Sequence, residues 1–313
     1  MSAEGGNKAI TAALAANLGI AVAKFVAFAF TGSASMMAEG VHSVADSGNQ
    51  GLLILGSKRA KRAETSKHPF GYGRERFFYA FVVAVVLFTV GSLFSLYEGW
   101  HKVSDPHEVE DPVWAFGVLI FAILLEGLSF RTAIKESNRT RGRQSWVSYI
   151  RRSRAPELPV VLLEDFAALI GLVLALVGIT LAVVTGNGIW DGVGSMAIGV
   201  LLGCVAVVLA VETKSMLIGE SAVGEIEQKI IAELESVDEV ERVIHLRTLH
   251  VGPEELLVAA KIAVTHDDTA AEVARGIDAA ERRIRAAVPM ARHIYLEPDL
   301  DRTGLKPKPQ NAG

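Results

Sequence analysis

Apolar and polar positions are unevenly distributed along the 313 residues. Two runs, 77–97 and 192–211, contain no charged side chain, and each is about the length of a helix that crosses a ~30 Å hydrocarbon layer. Four further apolar stretches complete six predicted spans, at roughly 9–30, 36–56, 77–99, 113–134, 159–185 and 192–217. After Gly219 the texture changes. Ile226, Ile230, Ile231 and Leu234 recur at helical spacing, which predicts an amphipathic helix over 220–237. Strands are predicted over 240–250 and 256–265, separated by the turn residues Gly252-Pro253-Glu254. A second helix over 269–287 and a last strand over 291–297 follow. This α-β-β-α-β order, with antiparallel pairing, suits a ferredoxin-like sheet with helices on one face. The expected architecture is a polytopic α-helical membrane protein with six transmembrane helices over 1–218, a small α+β ferredoxin-like cytoplasmic C-terminal domain over 219–299, and a disordered tail over 300–313.

The loops set the orientation. The 57–76 connection holds Lys58, Arg59, Lys61, Arg62, Lys67, Arg74 and Arg76 against Glu64 and Glu75. The 135–155 connection holds Lys135 and six arginines against Glu136. The alternate connections are neutral (31–35), acidic (101–111) or nearly uncharged (185–191). Basic loops stay on the cytoplasmic side, so both termini are expected there, consistent with an even number of spans. The first apolar stretch is too long for a cleavable signal, and no small-residue cleavage site follows it. With no transit peptide visible, a plasma (inner) membrane is the expectation.

Composition removes several function classes. A formal net charge of −4 with no basic domain argues against nucleic acid as a partner. The single Cys204 lies in an apolar run, which leaves no disulfide framework and no cysteine-based zinc finger. Residues 219–299 carry 17 acidic side chains against 9 Lys and Arg, so this domain cannot bind anionic lipid through bulk charge.

Ionisable side chains at membrane depth are costly and usually mark a pathway or a site. His42 and Asp46 in the second span are four residues apart and share a helix face, continued by Asn49 and Leu53. Imidazole and carboxylate together suit zinc or another first-row divalent ion. The fifth span adds Glu164 and Asp165. Three ligands from two helices with a vacancy is the pattern of an open, exchangeable metal site. The bland alternative is a His–Asp hydrogen bond that knits the bundle, and the second acidic pair makes it harder to sustain. Glu126 in the fourth span fits either a structural hydrogen bond or a part in proton or metal transfer. Lys24 reads as snorkelling to the interface, Glu98 as solvated near a span end, and Asp191 as a helix-terminal carboxylate favoured by the dipole. Gly192, Gly194, Ser195, Gly199 and Gly203 predict close helix packing in the sixth span.

These motifs resemble the cation diffusion facilitators. The resemblance rests on His42-Ser43-Val44-Ala45-Asp46, on His68-Pro69-Phe70-Gly71-Tyr72-Gly73-Arg74, on Asp165 in the fifth span and on the C-terminal α/β domain. It covers roughly residues 8–299. Asp46-Ser47-Gly48-Asn49-Gln50-Gly51-Leu52-Leu53, Glu126-Gly127 and Leu162-Leu163-Glu164-Asp165-Phe166-Ala167-Ala168 are similar to the branch containing the mitochondrial zinc exporter. The resemblance implies a dimeric, proton-coupled zinc exporter working by alternating access, with no cofactor and with Zn²⁺ as transported substrate. Typical members place His or Asp four residues before the fifth-span Asp, where this chain has Val161. Asn49, Glu164 or water would then complete the set, with Glu164 about 100° around the helix from Asp165. A loop position that often holds a second His is Tyr72. In the C-terminal domain His245 matches a common ligand position, while Lys261 and Leu296 stand where other ligands usually are. No intact binuclear cytoplasmic site is expected.

The resulting expectation is a homodimeric secondary transporter that exports Zn²⁺, with Mn²⁺, Fe²⁺ or Co²⁺ as further candidates, in exchange for protons. His42, Asp46 and Asp165 are the expected ligands, with Asn49, Glu164 and Glu126 as an additional set. An intramembrane metallohydrolase would need a general base beside a zinc-bound water, as in His-Glu-x-x-His, and the sequence has no such motif. The remaining rival is a non-transporting membrane scaffold or metal-sensing protein, distinguished from a transporter by the absence of metal flux.

Overall fold

The computed structural model describes residues 2–31, 34–106 and 112–300, with the side chains of residues 2–5, 30–31, 34–39, 41–42, 45 and 152 outside the description. Apart from Leu300, the predicted tail lies outside the described residues, as do 107–111 of the acidic connection. The chain divides into two units. The first comprises Met1–Ala63 and Arg74–Leu217, and the second Glu64–Gly73 and Ile218–Gly313.

The first unit is a bundle of long helices. They are α1 (Ser2–Thr31), α2 (Ala34–Ala60), a third span built from α3 (Glu75–Val86), a π-helical segment (Leu87–Leu93) and α4 (Phe94–Ser104), then α5 (Pro112–Arg141), α7 (Glu157–Thr185) and α8 (Ile189–Ile218), with the short α6 (Trp146–Arg152) in the connection before α7. Among the described residues five helices are long and apolar enough to cross a bilayer; Ala34–Ala60 is the remaining long one. It falls short of that apolarity because it carries Ser43, Asp46, Ser47, Asn49 and Gln50 in mid-helix and Lys58 and Arg59 in its last turn. The second predicted span is therefore the most polar of the long helices. Large apolar side chains such as Val22, Leu124, Val184 and Val211 point outward, as lipid-facing surfaces require.

Helix α1 packs on α2, α5 and α7, α5 on α7, and α2 on α3. Around Ala9, Ile10, Ala13, Leu53, Val83, Leu158, Val161 and Leu209 these helices form one continuous apolar core. The small residues of α8 are used for close approach. A Cβ on Gly199 would lie 2.7 Å from Leu96 Cγ, and one on Gly99 would lie 2.6 Å from the Met196 backbone nitrogen. Beside them the Ser92 hydroxyl, in the π-helical segment, donates to the Gly199 carbonyl at 2.8 Å.

The second unit contains α9 (Gly224–Glu235), β1 (Arg242–Gly252), β2 (Glu255–Val264), α10 (Ala270–Ala287) and β3 (Ala291–Leu300), with sheet order β1-β2-β3. Strands β1 and β2 form the expected antiparallel hairpin. The expectation of antiparallel pairing throughout is corrected at β3, which runs parallel to β2. The cause is α10, a crossover that returns the chain to the starting edge, and a crossover of this kind gives parallel neighbours. Alternate residues of β2 (Leu256, Val258, Ala260 and Ile262) face a core closed by Ile230 and Leu234 of α9 and Ala280 and Ile284 of α10. A capping box starts α10: Thr269 and Glu272 each bond to the other's backbone N–H. The connection between α2 and α3 belongs to this second unit. There the Phe70 ring meets His293 edge-on at 5.3 Å, and the His68 and Tyr72 rings lie 4.6 Å apart.

Candidate ion-binding cavity in the helical bundle

In α2 the hydrophilic positions Ser43, Asp46, Ser47 and Gln50 recur every three or four residues and form one stripe. In α7 the adjacent carboxylates Glu164 and Asp165 leave the helix in different directions, and both are buried. Glu126 and Ser129 stand three residues apart on α5, again on one face and again buried. Packing α1, α2, α5 and α7 together brings these stripes around a cavity of about 210 Å³.

Asp46, Glu126, Glu164 and Asp165 all border that cavity. The Ser129 hydroxyl donates to Asp165 Oδ2 at 2.6 Å, which fixes that carboxylate. Glu164 is held from α2: Asn49 Nδ2 donates to its Oε1 at 3.1 Å and Gln50 Nε2 to its Oε2 at 3.0 Å. Gln50 in turn accepts from Asn17 Nδ2 of α1 at 3.3 Å. The Oδ1 of Asn49 is buried and has no hydrogen-bond partner among the described residues. Asn49 is not among the cavity's lining residues, so its contribution is to hold Glu164.

The cavity is asymmetric along the bundle. From the carboxylates it runs past Phe94 and Glu98 to Lys102, near the C-terminal end of α4. At the opposite ends of these helices lies the apolar core around Ile10, Leu53, Val83 and Leu158. There Arg76 of α3 and Glu157 of α7 form a buried bidentate pair, with Nη2 to Oε2 at 2.8 Å. One half of the bundle is hollow and holds the carboxylates among apolar walls; the other is filled.

Several sequence expectations change. Lys24 does not snorkel. It is 9% exposed, lines the cavity, and donates from Nζ to Ser43 Oγ at 3.1 Å. Glu98 is half-buried and lines the cavity rather than standing in solvent. Asp191 does stand in the first turn of α8, and it also pairs with Lys102 of α4 at 2.9 Å. Val161 is 0% exposed within the apolar core and does not line the cavity. Position 161 shares a helix face with Asp165, but one turn away it has already entered the filled half. The His42 side chain lies outside the described residues. Among those described, no three His, Cys, Asp or Glu side chains converge closely enough to hold a metal ion together.

Gln50, Ser129 and Lys24 were not anticipated as site residues. The signals were present: Gln50 adjoins Asn49, Ser129 follows Glu126 by one turn, and Lys24 follows Asn17 by two turns on α1. In the second unit, His245 is exposed on β1 and opposes Lys261 of β2.

Comparison with known proteins supplies the context. Residues 10–218 match the cation efflux transmembrane domain, and residues 222–299 match the cytoplasmic domain of cation efflux proteins. The human mitochondrial proton-coupled zinc antiporter SLC30A9 is 33% identical over 231 residues, 73% of this chain and 41% of that protein. Metal tolerance protein C4 of Arabidopsis thaliana is 32% identical over 257 residues, 82% of this chain and 56% of that one. Magnetosome protein MamB of Magnetospira sp. is 25% identical over 280 residues, 90% of each chain. The chain thus spans about two fifths of the length of its SLC30A9 relatives.

Proposed function

Because the chain belongs to the cation efflux family, we propose that it is a secondary transporter that carries divalent cations, Zn²⁺ foremost, out of the cytoplasm in exchange for protons. The observation that carries this reading is the half-hollow bundle: Asp46, Glu98, Glu126, Glu164 and Asp165, five carboxylates, border a cavity that runs toward Lys102. A soluble or purely structural bundle gains nothing from burying so many acidic groups.

The ligands we propose are Asp46 and Asp165 together with His42, with Glu126 and Glu164 as a further acidic set. Metal ligands of these types must be deprotonated, so an arriving cation releases protons and returning protons release the cation. Histidine is the member whose ordinary pKa lies nearest neutrality. The carboxylates are hard oxygen donors, which extends the proposed substrate range to Mn²⁺, Fe²⁺ and Co²⁺.

The basic 57–76 and 135–155 connections support a cytoplasmic location for the filled end, with both termini on that side of a plasma (inner) membrane. The cavity then faces the opposite compartment, and the Arg76–Glu157 pair lies at the closed cytoplasmic end. Alternating access requires that pair and the apolar core to part when the cavity opens inward. The C-terminal unit, matching the family's cytoplasmic domain, is the proposed homodimer contact, and His245 alone is a weak metal ligand there.

Zn²⁺ uptake into proteoliposomes under an imposed pH gradient tests the reading. The unaltered protein should move Zn²⁺, and Asp165→Ala should abolish the flux while leaving the helix content intact. Undiminished flux in Asp165→Ala would overturn the ligand assignment, and no flux in the unaltered protein would overturn the transport assignment.

A further inference from the structure

Lys24 is the feature of the cavity that metal coordination does not explain. A lysine in a membrane span ordinarily extends its ammonium to the interface. This one is 9% exposed and turned inward, where it lines the same cavity as Asp46, Glu126, Glu164 and Asp165. Its Nζ donates to Ser43 Oγ at 3.1 Å, three residues before Asp46 on the same stripe of α2. The other lysine on the lining, Lys102, stands at the far end and is engaged by Asp191 at 2.9 Å.

We propose that Lys24 is a tethered cation of the transport cavity, neutralising its carboxylates when no divalent ion is bound and competing with that ion when one arrives. The inference rests on the transport reading above and adds a residue that limits affinity and promotes release. Carboxylates gathered around one cavity repel one another, and a fixed ammonium among them relieves that repulsion. A divalent ion entering the same space meets the ammonium's positive charge and takes over the compensation of the carboxylates. On release the ammonium returns to them. It acts as an internal substitute for the ion, so the emptied cavity is not left as a bare cluster of negative charge. The four-carbon stem gives the head group the reach to swing between these positions while remaining attached to α1.

The test compares Zn²⁺ affinity by calorimetry and initial Zn²⁺ uptake in proteoliposomes for the full-length protein and three variants. Lys24→Gln and Lys24→Met both remove the charge, one keeping a polar head for Ser43 and the other keeping the apolar stem. Each should bind Zn²⁺ at least about tenfold more tightly. Each should also turn over more slowly, because the substitute cation that promotes release is gone. Lys24→Arg, which keeps the charge, should return the affinity toward that of the unaltered protein. If either neutral variant folds and binds Zn²⁺ with unchanged or weaker affinity, Lys24 is a structural residue and the proposal is overturned. If one neutral variant does not fold, the other decides. Failure of the transport reading has a different mark: the unaltered protein would neither bind nor carry Zn²⁺, and Asp165→Ala would change nothing.

Discussion

Lys24 and Lys261, one in each unit, both stand near carboxylates, and they mean different things. Lys24 lies inside the helical bundle, lining a cavity with five carboxylates. Lys261 lies on the open sheet, where Asp299 of β3 takes its ammonium at 2.9 Å and Glu297 at 3.0 Å. Those hydrogen bonds, Asp299's first, hold the Lys261 ammonium above its ordinary pKa. Solvent screens the surface pair and leaves it little energetic weight, whereas the buried charge is expensive unless compensated. The comparison shows that a salt bridge carries information about function only once its surroundings are known. At Lys261 the ion pair joins neighbouring strands β2 and β3, and that contact is sufficient explanation for the residues there.

The contrast can be broken by removing one member of an ion pair in each unit and following thermal unfolding in detergent. The largest effect is expected at the buried pair. Glu157→Ala leaves the Arg76 guanidinium without its carboxylate in the filled half of the bundle, and should cost about 3–5 kcal/mol. A cost below about 1 kcal/mol would mean that water reaches this end and that it is not sealed.

A smaller loss is expected where a polar contact is exposed but geometrically fixed. The backbone N–H and hydroxyl of Thr269 bond to Glu272 at 2.8 and 2.7 Å and hold that carboxyl below its ordinary pKa. The folded pKa is the lower one, so this stabilisation is present above the unfolded pKa and is lost as pH falls through the folded value. Thr269→Ala should destabilise the C-terminal unit by about 1 kcal/mol near neutral pH, with a smaller difference in acid. An equal loss at both pH values would show that the reciprocal bond to Glu272 is not the source.

The smallest effect is expected at the surface pair. Lys261→Ala should leave the unfolding midpoint almost unchanged. The folded pKa of Lys261 is raised, so its contribution is present below the unfolded pKa and disappears as pH rises through the folded value. A large loss at neutral pH would show that the sheet edge depends on this pair, and the distinction between the two lysines would collapse.

Much of this architecture is legible in the residues alone, for identifiable reasons. Charge-free runs such as 77–97 can only be satisfied by a long helix in lipid or a fully buried one, so the spans stand out. Glu164 and Asp165 stand out because they interrupt such apolar surroundings, and Asp46 because it stands one turn from His42. Lys24 does not, because a lysine's long stem permits two directions and the sequence does not say which neighbour will offer an acceptor. Val161 misleads for a related reason. Helical spacing fixes its angle relative to Asp165, but the depth at which the cavity ends depends on Leu53 and Val83 arriving from other parts of the chain. The direction of β3 was hidden as well. Alternation reveals a strand's inner face and is blind to its polarity, which only the α10 crossover sets.

The glycine contacts at the third and sixth spans bear on how a mutational scan of this protein would read. Every missense change at Gly99 or Gly199 adds at least one carbon, which would sit 2.6–2.7 Å from an atom of the facing helix. Such positions should therefore score as intolerant as the proposed ligands Asp46 and Asp165 when growth under metal stress is the selection. Yet neither glycine lies among the proposed ligands. The two classes would separate only by counting protein in the membrane: glycine variants should be lost because they are scarce, aspartate variants because they are present and idle.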